Sequence, residues 1–140
     1  MTDRPRRSAL YLPASNAKAI AKARTLACDI VILDLEDAVA PDMKAVAREQ
    51  AIAAVAEGGY GTRDLVLRVN GLDTEWGAAD LAAVAQVKPD AILAPKIDSR
   101  EALRPYEQAL AGRVGIGLWA MVETARPIFR LDEIASAGGG

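Results

Sequence analysis

Ile30-Val31-Ile32-Leu33, followed at once by Asp34-Leu35-Glu36-Asp37 and then Ala38-Val39, is the stretch that decides the reading. Four aliphatic residues without a polar interruption describe a short buried strand. Three carboxylates in the next four positions crowd negative charge at its end, where it must be solvated, paired or bound to a cation. The segment reads as the rim of an active site.

The same unit recurs on both sides. Ser8 to Leu12 predicts a strand, and after Pro13-Ala14 either Ser15 or Asn16 caps a helix from about Ala17 to Leu26. The Ile30–Asp34 strand leads to a helix over Asp42–Glu57, with Ala45, Ala47, Ile52 and Val55 as its apolar face and Gly58-Gly59 as its stop. Leu65–Val69 is a third strand, and Asn70-Gly71 turns into a helix opened by Asp73 or Thr74 and running through Trp76 to about Gln86. Ala91–Ala94 is a fourth strand, ended by Pro95-Lys96, and Ser99 caps a helix over Glu101–Leu110. Arg113–Val122 carries a fifth strand, with a last helix near Arg126–Ser136. Five strands alternating with five helices predict parallel strands and an α/β fold. Strand starts spaced by roughly 21 to 35 residues suit either a (β/α)₈ barrel or an open doubly wound sheet, and periodicity alone does not separate them. No linker divides residues 1–140, which read as a single domain. No Gly-x-Gly-x-x-Gly follows the first strand, so a dinucleotide site is set aside.

Composition narrows the chemistry. With 17 basic and 19 acidic side chains among 140 residues, no charge bias points to nucleic acid or a membrane surface. Uninterrupted apolar runs fall far short of the roughly 18 residues a membrane span needs. The segment Met1-Thr2-Asp3-Arg4-Pro5-Arg6-Arg7 lacks the apolar core of a signal peptide, and a cytoplasmic location is expected. Cys28 cannot form an intrachain disulfide and reads as a buried structural thiol. The absence of His removes the commonest general base and zinc ligand. Carboxylates, Lys and Arg remain, a set that favours a hard, oxygen-ligated ion such as Mg²⁺ if a metal is bound.

Polar residues stand at successive strand ends: Asp34, Glu36 and Asp37, then Arg68 and Asn70, then Lys96, then Glu123. A barrel gathers its catalytic groups on that side. Plainer readings exist for each, with Asp37 as a turn or cap residue and Lys96 as a solvated loop residue. Arg68, between Leu67 and Val69, needs a partner, and a salt bridge to Glu123 inside the barrel is the structural alternative for that pair.

These residues carry a resemblance. Arg7-Ser8-x-Leu10-x-x-Pro13-Ala14, the Asp34–Pro41 block with Lys44 and Arg48 after it, Arg68-Val69-Asn70, Pro95-Lys96 and Glu123-Thr124-Ala125 resemble the citrate lyase beta subunit family. That family falls in the wider HpcH/HpaI aldolase and malyl-CoA lyase group. The resemblance implies a (β/α)₈ barrel, of which this chain covers about the first five βα units. It also implies Mg²⁺-dependent cleavage or formation of a carbon–carbon bond in a CoA ester such as citryl-CoA or malyl-CoA, with a 2-keto acid as partner. Carried over, Glu123 is a metal ligand and Arg68 contacts substrate oxygens. Glu36 and Asp37 lie near the metal and its waters, Asn70 and Lys96 line the substrate, and Asp34 orients them or Arg68. Arg7, Lys18, Lys22 and Arg24 are candidates for CoA phosphates.

Members of the family are much longer, and their second acidic metal ligand would fall beyond Gly140. The expectation is therefore a barrel portion carrying half a metal site, with strands one and five as open edges that a homo-oligomer (trimer or hexamer in the family) or a larger lyase complex would cover. The alternative is an inactive truncated fragment or assembly subunit that retains the fold without turnover.

Overall fold

The computed structural model describes residues 3–137. Five βα units follow in order. They are β1 (Ala9–Pro13) and α1 (Ala17–Ala23); β2 (Ile30–Asp34) and α2 (Lys44–Glu57), entered through a 3₁₀ turn at Pro41–Met43; and β3 (Asp64–Arg68) and α3 (Gly77–Val84). β4 (Ala91–Ala94) and α4 (Arg100–Leu110) come next, then β5 (Gly117–Ala120) and α5 (Leu131–Ala135), reached through a 3₁₀ segment at Arg126–Arg130. All pairings are parallel and the spatial order is β1-β2-β3-β4-β5. A doubly wound sheet reverses its strand order part-way. This one does not, so the sheet is the wall of a barrel.

The two faces of the sheet confirm this. Leu12, Val31, Leu33, Leu65, Leu67, Ile92 and Ala94 pack with helix residues such as Ile20, Ala47, Ala51, Leu81 and Leu103 in one large core. The opposite face holds a separate cluster of Ile30, Ile32, Val66, Ala91 and Leu93 with Trp119 and Met121, and no helix residue joins it. Helices therefore cover one side only, and the second cluster fills the barrel interior. The register row Asp34↔Arg68↔Leu93↔Trp119 crosses four strands near their carboxyl ends.

Several boundaries depart from the sequence expectation. α1 stops at Ala23 because the Arg63 guanidinium takes the carbonyls of Ala23, Arg24 and Leu26, which removes the need for another turn. α2 buries Lys44, Ala47, Ala51 and Ala54, while Ala45 is exposed and Ile52 and Val55 are only half-buried. β5 is four residues rather than ten and starts only at Gly117, because Gly115 adopts a positive φ of +89° that a strand cannot contain. Arg113 lies before the strand and Val122 beyond it. The expected single last helix begins as 3₁₀ around Pro127. Asn16 and Ser99 cap α1 and α4 through their side chains. No described helix is long and apolar enough to cross a membrane.

Candidate active site

Arg68 ends β3 and Asp34 ends β2, side by side in register and both pointing into the barrel. Arg68 Nε and Nη2 donate to Asp34 Oδ1 and Oδ2 at 2.8 and 2.6 Å, a two-point ion pair between buried groups. The structural alternative that pairs Arg68 with Glu123 is not formed. Asp34 also accepts the backbone N–H groups of Glu36 and Ala38, each at 2.9 Å, so one carboxylate ties the strand end to the turn that follows. Burial alone would raise its pKa, but the Arg68 bonds and the two amides outweigh burial and hold it below the ordinary range. The Arg68 guanidinium is driven further toward its charged form by the Asp34 bonds. The Tyr11 ring lies 5.3 Å beneath it.

Glu36 is the unusual member. Its side chain is 9% exposed, and Oε1 has no hydrogen-bond partner. Arg68 Nη1 stands 3.6 Å from Oε1 and Lys96 Nζ 3.6 Å from Oε2, near enough for charge pairing and too far for good hydrogen bonds. Burial, reinforced by the neighbouring Asp37 charge, pushes the carboxyl above its usual value, with Lys96 and Arg68 pulling the other way. Asp37 itself is exposed, its Oδ1 4.0 Å from Lys96 Nζ.

Lys96 follows β4 with φ +49°, a left-handed conformation uncommon for a side-chain-bearing residue. Its backbone N–H donates to Glu123 Oε1 at 2.8 Å, so Glu123, just beyond β5, stabilises that bend. The charges of Glu36 and Asp37 hold its ammonium above the usual lysine value. Glu36 and Lys96 line a cavity of about 230 Å³ with Gly71, Asp73, Thr74 and Tyr106, between the β3–α3 and β4–α4 loops.

Asn70, Arg7 and Arg24 have other partners. Asn70 is 2% exposed, and both amide protons are spent on Leu35 O and Asp80 Oδ2 while Oδ1 accepts from Lys44 Nζ. Its side-chain amide is thus occupied within the protein, where it braces the loops. The CoA candidates do not converge. Arg7 pairs with Asp29 at the amino ends of β1 and β2, roughly 15 Å of strand away from Glu36. Arg24 is tied to Gly58 O and Glu57. Lys18 and Lys22 are exposed on α1, with Lys18 in its first turn.

Sequence reasoning assigned no role at the site to Lys44 or Asp80. Lys44 is buried against Leu35, Glu36 and Asn70. Asp80, inside α3, is 1% exposed and accepts from Arg48 Nε and from both nitrogens of Asn70. The signal available was an Asp on the packed face of an otherwise apolar helix, Gly77-Ala78-Ala79-Asp80-Leu81.

Among the described residues no cluster of three or more acidic, His or Cys side chains could by itself hold a metal. Mg²⁺ is usually bound through one or two carboxylates, with water and substrate completing its shell. Glu123 uses only Oε1 internally, and Glu36 Oε1 is unbonded. All-oxygen donors of this kind fit Mg²⁺.

A family model described as HpcH/HpaI aldolase/citrate lyase matches residues 7–139. The chain belongs to that family. Within it, the chain is 48% identical over 133 residues to a (3S)-malyl-CoA thioesterase of Cereibacter sphaeroides, covering 94% of this chain and 45% of that protein. It is 36% identical to citrate lyase subunit beta of Escherichia coli, covering 96% of this chain and 47% of the relative. It also superposes on a citrate lyase beta subunit of M. tuberculosis complexed with oxaloacetate and magnesium. There the TM-score is 0.73 and the identity 32%, over 95% of this chain and 56% of that one. The chain thus spans about half the length of the HpcH/HpaI-family proteins it matches, and its five units form part of their barrel-like α/β fold.

Proposed function

We propose that residues 1–140 form the N-terminal part of a Mg²⁺-dependent carbon–carbon lyase domain acting on a CoA ester of a hydroxy acid, such as malyl-CoA or citryl-CoA. The products would be an acyl-CoA and a 2-keto acid. The observation that carries this reading is the convergence of Arg68, Glu36, Lys96 and Glu123, from four different strand ends, on one rim. Family membership and the relative solved with oxaloacetate and magnesium support it.

Glu123 would hold Mg²⁺, with Glu36 and Asp37 beside its waters and a second acidic ligand supplied from outside residues 1–140. The ion supplies Lewis-acid stabilisation of keto and carboxylate oxygens. Arg68, locked by Asp34, presents Nη1 in a fixed orientation to a substrate oxygen, so its charge needs little reorganisation as negative charge develops there. Lys96 adds a second cation on the same side. As the carbon–carbon bond breaks, the substrate hydroxyl gives up its proton to a base on the rim and becomes the keto group, while the acyl-CoA leaves as its enolate and must gain a proton in turn. Burial raises the Glu36 carboxyl above its usual range, which favours its protonated form and makes it the group on this rim proposed to carry that proton.

The malyl-CoA thioesterase relative, at 48% identity, favours a second reading in which water cleaves the thioester to give malate and free CoA. Incubation with malyl-CoA and Mg²⁺ separates the two. The lyase reading expects acetyl-CoA and glyoxylate, whereas malate and free CoA in equal amounts, with no glyoxylate, would replace it with hydrolysis. The CoA-binding roles of Arg7, Lys18 and Lys22 do not enter this reading, since the structure disperses these residues. Homo-oligomerisation, a larger lyase complex and a cytoplasmic location complete the proposal.

A further inference from the structure

Lys44 follows the acidic block as the first residue of α2, and its setting is unfavourable for a lysine on two counts. A cation in the first turn of a helix meets the positive end of the dipole. Lysine is also almost never fully buried unless paired, yet Lys44 is 6% exposed. None of the ion pairs formed by the nearby carboxylates Asp34, Glu36, Asp37 and Asp80 includes it.

Three oxygens offset that cost. Lys44 Nζ donates to Leu35 O at 3.0 Å, Glu36 O at 2.7 Å and Asn70 Oδ1 at 2.8 Å, which uses all three ammonium protons. The Trp76 ring covers the group at 5.1 Å. Burial lowers its pKa, and the charges of Asp34, Glu36, Asp80 and Asp37 oppose the shift. Two of the three acceptors are consecutive carbonyls of the loop that carries Glu36. The third, Asn70, is itself held by Asp80, and Asp80 by Arg48. The Glu36 carboxyl has no hydrogen bond at Oε1. Apart from the 3.6 Å charge contacts with Arg68 and Lys96, its direction depends on where the backbone of residue 36 is held.

We propose that Lys44 is the positioning residue for Glu36: its buried ammonium clamps the Leu35 and Glu36 carbonyls so that the Glu36 carboxyl faces the cavity between the β3–α3 and β4–α4 loops. The functional half of this inference rests on the reading of that rim as a Mg²⁺ and 2-keto acid site.

Amide hydrogen exchange of the whole chain and of Lys44→Met reads the backbone half without reference to activity. Exchange at Glu36, Ala38 and Val39 is expected to accelerate by about tenfold or more, while Val66 and Leu67 in β3 stay unchanged. No change in the loop, or equal acceleration in loop and β3, overturns the proposal. If Lys44→Met does not fold, Lys44→Arg takes its place. Its displaced donor is expected to loosen the same three amides alone, and the same two results overturn the proposal.

The functional half is read by titrating Mg²⁺ with oxaloacetate. Glu36→Gln and Lys44→Met should each weaken Mg²⁺-dependent oxaloacetate binding, with the double variant no weaker than the poorer single one. Losses that multiply show that Lys44 does not act through Glu36 and overturn the inference. A wild-type chain that binds neither Mg²⁺ nor oxaloacetate rejects the site reading, and the exchange result then decides the clamp on its own.

Discussion

Arg68 and Glu36 sit 3.6 Å apart, and opposite effects on stability are expected of them. Arg68→Ala strands Asp34, which is 1% exposed, as a buried charge without its partner. A loss of about 3–5 kcal/mol is expected from urea unfolding, the range for breaking a buried pair from one side. A loss below about 1 kcal/mol would mean that the two amides alone satisfy Asp34. Asp34, with its lowered pKa, contributes stability above the unfolded carboxyl value of about 4, and loses it as pH falls through the folded value. Glu36 has the reverse sign. Its raised pKa means the folded state binds the proton more tightly, so stability declines as pH rises through the folded value. Glu36→Gln should therefore raise the Tm at pH 7 and change it little near about pH 4, where the wild-type carboxyl is largely protonated already. A lower Tm at pH 7 would show that the Arg68 and Lys96 attractions outweigh burial.

At the scale of the element, the turn from β3 into α3 is the tightest joint near the site. A Cβ at Gly77 would collide with the Gly71 carbonyl, which only glycine avoids. Gly77→Ala is expected to cost about 1–3 kcal/mol by overpacking, read by thermal unfolding, and a neutral result would mean that the 71–77 loop can shift freely. The strands were the most legible elements. β2 and β4 follow from uninterrupted aliphatic runs, Ser99 from its place before apolar periodicity, and the first cap was narrowed to Ser15 or Asn16, of which Asn16 caps. β5 was overread because the positive φ of Gly115 leaves no signature beyond glycine itself. The acidic rim could be read from strand ends. Of the Lys44–Asn70–Asp80–Arg48 brace only Asp80 left a trace, as a carboxylate in an otherwise apolar helix start, since a lysine opening a helix ordinarily faces solvent and only tertiary packing turns it inward.

For the whole molecule, strand order settles what periodicity left open between a barrel and a doubly wound sheet. Among the described residues β1 and β5 are paired on one side only. Val114, Ile128, Phe129 and Leu131 are exposed around the β5 side. A cavity of about 800 Å³ lies there too, between α4, β5 and α5, lined mainly by aliphatic residues such as Leu110, Ile116, Leu118 and Ile134. Open edges and apolar surface of this kind favour association. The 140-residue chain is expected to sediment above its 14.8 kDa monomer mass at high concentration, and Phe129→Ser to weaken that association. A monomer at all concentrations would contradict this.

The central claim is that the strand ends of these five units gather a site for Mg²⁺ and a 2-keto acid. Isothermal titration of the 140-residue chain with oxaloacetate, with and without Mg²⁺, tests it most directly. Weak, Mg²⁺-dependent binding is expected, with a Kd on the order of 1 mM or about −4 kcal/mol, that disappears in Arg68→Ala. Binding that is indifferent to Mg²⁺, or that survives Arg68→Ala unchanged, would contradict it.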